Sequence, residues 1–178
     1  MRKADEDRFR EFARSHAMAM RRSAFLLCGD WYLAEDLVQT TLIKLHRAWP
    51  RVVGTDRPVQ YARRTLLRCW LDEQRRPWRR AERRDGLVPD GADAVADPAL
   101  AQQRQDLRGQ LFEALSAIPP RQRAVIVLRY FESLTVGEAA EALGCSEGTV
   151  KSQTARGLAA MKAVWNEVAE TASRSGFS

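Results

Sequence analysis

The middle of this 178-residue chain holds a segment that cannot help to build a hydrophobic core. Residues 85–98 contain four acids, no base, two glycines and two prolines. A stretch of this composition buries too little apolar surface to offset its loss of conformational entropy, and it is typical of a flexible linker. The chain is therefore predicted to fold as two small domains, residues 5–84 and residues 105–168, joined by an acidic flexible linker over residues 85–104.

Outside this linker, apolar side chains recur every three to four residues, which is the spacing of one face of a helix. Gly29 and Asp30 are a typical C-cap and N-cap between the first two helices, and Pro50 is expected to end the second helix. The last residues, 173–178, are expected to fray. We predict an all-α fold with a loop over residues 51–58 and with helices over residues 7–28, 31–49, 59–76, 105–117, 121–132, 136–143 and 147–165.

Two short helices of the C-terminal domain carry the pattern of a helix-turn-helix. Thr135 and Glu138 fit a capping box at the start of the first helix, Gly144 supplies a left-handed residue for the turn, and Ser146 caps the second helix. The second helix of such a motif places its N-terminal turns in the major groove of duplex DNA. An ordinary helical hairpin is the alternative. The polar residues that would face the groove are Lys151, Ser152, Gln153 and Arg156.

The net charge of +6 is concentrated in one part of the chain. Residues 57–84 contain ten arginines and three acids, so this segment carries +7 and the remainder carries −1. A dense arginine patch is the electrostatic footprint of a protein that binds a polyanion. Tyr61, Trp70 and Trp78 lie among the arginines, and aromatic rings stack on exposed bases, so the segment is predicted to bind nucleic acid. The alternative is a solvated helix face.

Several other classes of protein are disfavoured by the sequence. No apolar run is long enough to span a bilayer, and the N-terminal residues show no secretory signal, so we expect a cytoplasmic protein without direct membrane insertion. Cys28, Cys69 and Cys145 are scattered, which predicts neither a disulfide framework nor a zinc site. His16 and His46 stand outside any catalytic motif, and no phosphate-binding glycine loop is present. We therefore predict no enzyme activity, no metal and no cofactor.

Several stretches of the chain resemble the sigma factors of bacterial RNA polymerase, specifically the short extracytoplasmic-function (ECF) group and its SigE-like actinobacterial branch. In the N-terminal half these are residues 34–45, which read AEDLVQTTLIKL, and residues 61–67, which read YARRTLL, followed by Asp72, Arg75 and Arg76. In the C-terminal half they are residues 118–125, IPPRQRAV, and residues 138–152, EAAEALGCSEGTVKS. The C-terminal motif also occurs in part in LuxR-type output domains, whereas the full order of motifs is specific to sigma factors.

The resemblance implies three binding surfaces. The second helix would dock on core RNA polymerase through Asp36, Gln39, Thr40, Ile43 and Arg47. The third helix would recognise and melt the −10 promoter element, with the loop before it receiving an extruded base, through Tyr61, Arg63, Arg64, Arg68, Arg75 and Arg76. The helix-turn-helix would read the −35 element through Ser146, Thr149, Lys151, Ser152, Gln153 and Arg156.

The resemblance also implies binding partners, and the chain departs from the family pattern at one position. Core RNA polymerase and promoter DNA are the expected partners, and an anti-sigma factor is a further candidate. Family members commonly carry asparagine at the position of Arg68, so the resemblance does not specify the exact −10 preference of this chain. A stand-alone helix-turn-helix regulator of LuxR-output type is the alternative function. It would bind duplex DNA by itself, usually as a dimer, and it would leave the arginine segment and the Asp36-containing helix without a role.

Overall fold

The computed structural model describes residues 2–55, 57–76 and 98–175. These residues form helices and their connections, and no β-strand occurs among them. The all-α prediction is therefore confirmed. The helices are α1 (Lys3–Cys28), α2 (Trp31–Val52), α3 (Pro58–Gln74), α4 (Pro98–Ala117), α5 (Pro120–Ile126), a π-helical turn (Val127–Phe131), α6 (Val136–Leu143) and α7 (Glu147–Ser175).

Helices α1, α2 and α3 pack against one another to form the first domain. The predicted stripe of α2 faces its core, where Val38, Leu45 and Trp49 are buried. Trp70 of α3 is fully buried in the same core. An indole of this size contributes a large share of the apolar area that a small domain can bury. The apolar spacing of the sequence thus positions α2 and α3 with their polar faces outward.

The junction between α1 and α2 is built as the sequence predicts. Gly29 adopts a left-handed conformation with φ 75°, and its N–H donates to the carbonyl oxygen of Phe25. The Asp30 carboxylate accepts hydrogen bonds from the N–H groups of Tyr32, at 2.8 Å, and of Leu33, at 3.1 Å. These contacts satisfy backbone groups that helix ends otherwise leave unpaired. They fix the direction in which α2 leaves α1.

Two predicted helix ends are wrong because proline acts differently from the expectation. Helix α2 continues through Pro50 to Val52, since a proline in the last turn removes a single helical hydrogen bond and the N–H of Val53 still donates to Trp49. Helix α4 starts at Pro98, which fits the first position of a helix. Residues 98–104, which belong to the predicted linker, are therefore helical. Residues 85–97 of the predicted linker lie outside the described residues.

The second domain contains α4 to α7, and it differs from the prediction in two places. The helix predicted over residues 121–132 is α-helical only to Ile126 and then widens into the π-helical turn, where the N–H of Glu132 donates to the carbonyl oxygen of Val127. Helix α7 extends to Ser175, ten residues beyond the predicted end at 165 and past the start of the segment expected to fray. Residues 176–178 lie outside the described part.

Candidate nucleic-acid and protein interfaces

The helix-turn-helix has the local chemistry that its sequence predicts. The backbone N–H and the hydroxyl of Thr135 both donate to the Glu138 carboxylate at 2.8 Å, and the N–H of Glu138 donates back to the Thr135 hydroxyl at 3.2 Å. Gly144 is left-handed with φ 65°. The Ser146 hydroxyl accepts from the N–H of Thr149 at 3.1 Å. Both helices of the motif are thus capped, and the turn between them is fixed.

The capping box predicts an acid dependence of stability. The hydrogen bonds from Thr135 lower the pKa of Glu138 below its ordinary value of 4.5. A carboxylate whose pKa is depressed by folding stabilises the fold above its unfolded pKa, and this contribution is lost as the pH falls through the folded pKa. The stability difference between wild type and Glu138→Gln is therefore expected to shrink when urea unfolding is repeated below pH 4.5. An equal difference at neutral and acidic pH would contradict this.

Alanine substitutions at Gly144 and at Gly109 are expected to change thermal stability in opposite directions. Gly144→Ala places a side chain in a left-handed conformation, and we expect a loss of about 1 kcal/mol, or a fall in Tm of about 2–4 °C. Gly109 lies inside α4 with no atom within 4 Å of where its β-carbon would stand, so Gly109→Ala is expected to raise Tm through its better helix propensity. Thermal melts of both variants check the pair. A destabilised Gly109→Ala would show that α4 is not an ordinary helix.

The predicted −35 residues share the outer surface of the first turns of α7. Ser146, Lys151, Ser152 and Arg156 are exposed, whereas Thr149 and Gln153 are half-buried. Val150 and Gly157 face inward, and a β-carbon on Gly157 would stand 3.1 Å from Cγ1 of Ile126 in α5. The face of α7 with Val150 and Gly157 therefore packs closely against the core of its domain, whereas the predicted reading face on the other side presents its cationic side chains to solvent.

The predicted −10 residues of α3 lie in two environments. Tyr61, Arg64, Arg68, Arg75 and Arg76 are exposed. Local acids partner the last two, with Arg75 3.6 Å from Asp72 and Arg76 3.3 Å from Glu73. The pair of Arg75 with Asp72 is exposed on both sides and contributes little, and in the second pair the Arg76 side chain is itself exposed, so both cations are accessible to phosphate. Arg63 differs, because it is half-buried and pairs with Glu132 of the second domain.

The predicted docking face of α2 is free of the rest of the described chain. Its five residues are all exposed, on the side of the helix away from Val38, Leu45 and Trp49. Ile43 keeps 55% of its surface exposed, which is unusual for a large aliphatic side chain. Beside it lies a shallow cavity of about 250 Å³ lined by Phe9, Leu42, Ile43, His46 and Arg47. An apolar centre rimmed by polar groups is typical of a protein-binding surface.

The two domains are joined by contacts between residues far apart in the sequence, which the sequence patterns do not predict. Arg123 of α5 donates to the carbonyl oxygen of Leu27, at the end of α1, over 2.7 Å, and to that of Ser116 over 2.6 Å. Phe112 of α4 stacks on Phe25 of α1 with ring centroids 5.0 Å apart. Across the same junction, Arg57 lies 3.3 Å from Glu141.

Cys28 lies at this junction, at the end of α1. Its thiol donates to the carbonyl oxygen of Asp30 over 3.2 Å. Desolvation by burial raises the pKa of this thiol to about 12, and the nearby Arg123 guanidinium only partly opposes that effect. A thiol in this state is rarely ionised and is chemically inert.

Two family models match the chain, Sigma-70 region 2 over residues 12–80 and Sigma-70 region 4 over residues 108–161. Together they define the chain as a sigma factor of the sigma-70 class. An RNA polymerase sigma-E factor of Streptomyces avermitilis is 34% identical over 155 residues, which span 86% of this chain and 83% of the relative. The ECF RNA polymerase sigma factor SigL of Mycobacterium tuberculosis is 31% identical over 168 residues, 88% of each chain. The chain belongs to the ECF group of RNA polymerase sigma factors.

A solved structure supports the same fold. The sigma factor RpoE of Bartonella quintana, determined in complex with the anti-sigma factor NepR, superposes with a TM-score of 0.65 at 23% identity and covers 88% of this chain and 97% of its own. Within residues 2–55, 57–76 and 98–175, no helix combines the length and apolar character that a membrane span requires. Among these same residues, no group of three or more His, Cys, Asp and Glu side chains is arranged to hold a metal ion.

Proposed function

We propose that this sigma factor divides promoter recognition among three surfaces, one on α2, one on α3 and one on α7. The first docks on core RNA polymerase, the second recognises and melts the −10 element, and the third reads the −35 element. The domains that carry these surfaces are proposed to be residues 5–84 and 105–168. The factor acts in the cytoplasm and by binding rather than by catalysis, and an anti-sigma factor is a candidate partner in addition to polymerase and promoter DNA.

The exposed face of α2 is the basis for proposing that this helix docks on core RNA polymerase. It joins an acid, two neutral polar groups, an exposed isoleucine and an arginine on one side of a helix whose other side is fully committed to the core. A helix with one core face and one free face of mixed polarity suits docking onto another helical surface. The observation that supports the proposal most strongly is that all five residues, Asp36, Gln39, Thr40, Ile43 and Arg47, are exposed together.

The two DNA surfaces suit different forms of DNA. The arginines of α3, with Tyr61 40% exposed among them, offer cations for a single-strand backbone and a ring for stacking. The start of α7 instead offers a helix end, a lysine and an arginine, which suit phosphate positioning and base reading in a duplex major groove. Two modest binding surfaces on one chain then act together through their high effective concentration.

Run-off transcription tests the proposal. Purified chain is combined with actinobacterial core polymerase and a pool of genomic promoter fragments, beside a reaction that contains core polymerase alone. Discrete transcripts that require both proteins are expected, and their start sites define the −10 and −35 sequences. If no transcript forms and the chain by itself binds duplex DNA tightly, the proposed division of roles among the three surfaces is wrong.

A further inference from the structure

Acidic side chains of the second domain cover part of the arginine face of α3. Glu132, which follows the π-helical turn, forms an ion pair with Arg63 in which both side chains are largely removed from solvent, at 22% and 14% exposed. Glu141 of α6 lies 3.3 Å from Arg57, just before α3. The Nη2 atom of Arg64 lies 4.0 Å from the position that a β-carbon on Gly144 would take. The first helix of the helix-turn-helix therefore lies on the N-terminal half of α3.

The two ion pairs join a predicted DNA-binding surface to carboxylates, which are the protein groups most similar in charge to phosphate. The capping carboxylate of Glu138 lies in the same field, since Arg63 contributes to lowering its pKa. Arginine binds carboxylate and phosphate with the same fork of N–H donors. A phosphate group that binds Arg63 must therefore compete with Glu132, which already accepts a hydrogen bond from Nε of this arginine. We propose that the second domain is an intramolecular competitor of DNA for the arginines at the N-terminal end of α3, held there by Glu132 and Glu141.

Two further features favour a regulatory contact over simple packing. The π-helical turn widens the end of α5, and its closing bond from the Glu132 N–H to Val127 places this carboxylate at the junction. The docking face of α2 stays exposed in the same arrangement. Core polymerase can therefore bind the closed form, whereas DNA meets a partly neutralised α3. Separation of the domains on polymerase would then release Arg57 and Arg63. This inference rests on the proposed role of α3 in DNA binding.

The test removes the two carboxylates without changing side-chain shape. The double variant Glu132→Gln and Glu141→Gln is compared with Glu113→Gln and Glu170→Gln, which changes net charge equally at exposed positions of α4 and α7. Each free protein is titrated into a fluorescein-labelled single-stranded DNA oligonucleotide of mixed sequence, and anisotropy is followed at several salt concentrations. We expect the junction variant to bind about tenfold more tightly than the control, with a salt slope steeper by about 1.4 for two additional phosphate contacts.

Equal affinity of the junction and control variants would overturn the inference. If the junction variant loses its cooperative thermal transition, Glu141→Gln alone replaces it, because that side chain is 56% exposed and its only described partner is Arg57 across the junction. The affinity of this single variant for the oligonucleotide is expected to rise about threefold. An unchanged affinity would overturn the inference. Run-off transcription with wild-type chain tests the proposed function separately. Normal transcripts with unchanged oligonucleotide affinity would reject the competitor and keep the sigma-factor surfaces.

Discussion

Replacing Asp36 and Gln39 together with alanine is expected to weaken binding to core RNA polymerase by about 30-fold, or ~2 kcal/mol, the loss typical of a hot spot in a protein interface. Both side chains are exposed on the α2 face, so their removal leaves no cavity and no buried polar group. The free energy of unfolding is therefore expected to change by less than about 0.5 kcal/mol. Binding of labelled chain to core polymerase and a thermal melt of the same samples measure the two quantities.

A matched control separates this effect from a general loss of polar surface. Gln103→Ala with Glu113→Ala likewise removes one side-chain amide and one carboxylate, from exposed positions of α4. It is expected to leave polymerase affinity within about twofold of wild type, in line with energetically neutral surface positions. Equal affinities for the α2 variant and wild type would remove the docking assignment from this face of α2. A loss confined to the α2 variant would support it.

The second large effect is expected at Arg156. An arginine that contacts a guanine edge through two hydrogen bonds contributes about 1–3 kcal/mol of discrimination, so Arg156→Ala should reduce use of an intact −35 element by about 5- to 150-fold. Arg156 is exposed on the reading face of α7, and its removal should not alter polymerase binding. Run-off transcription from promoters with intact and substituted −35 elements measures the loss.

The comparison of promoters identifies the origin of the loss. If Arg156 reads a base, wild type should prefer the intact −35 element and Arg156→Ala should show little preference between the two promoters. Lys162→Ala, at an exposed position further along the same helix, serves as the control and should retain the preference of wild type. If Arg156→Ala and wild type discriminate equally, Arg156 does not read the element.

Local chemistry explains which parts of the fold were predictable. The helix caps were predictable because a capping residue bonds to backbone groups within about one helical turn of its own position. The structure confirms the predicted caps at Gly29, Asp30, Thr135 and Gly144. Apolar spacing likewise predicted the buried stripe of α2, because the pattern of burial along one helix is set by its own geometry. The same reasoning separated the exposed face of α2 from the core without any knowledge of its neighbours.

Contacts between distant residues were outside the reach of this reasoning. Arg63 and Glu132 are 69 residues apart, and Arg123 and Leu27 are 96 apart. Periodicity shows that Arg63 is not in the core of its own domain, but it contains no information on which surface covers it. The π-helical turn was missed for a related reason, since the apolar residues of Val127–Phe131 fit an α-helix equally well in sequence.

The junction also provides a native reporter of its own opening. Cys28 is half-buried near Arg123, and its desolvation raises the pKa of the thiol from an ordinary 9.0 to about 12. Solvent access would lower this pKa and raise the thiolate fraction at neutral pH, and the thiolate is the species that reacts with maleimide. With Cys69 and Cys145 replaced by serine, the rate at which Cys28 is labelled measures how readily the two domains separate.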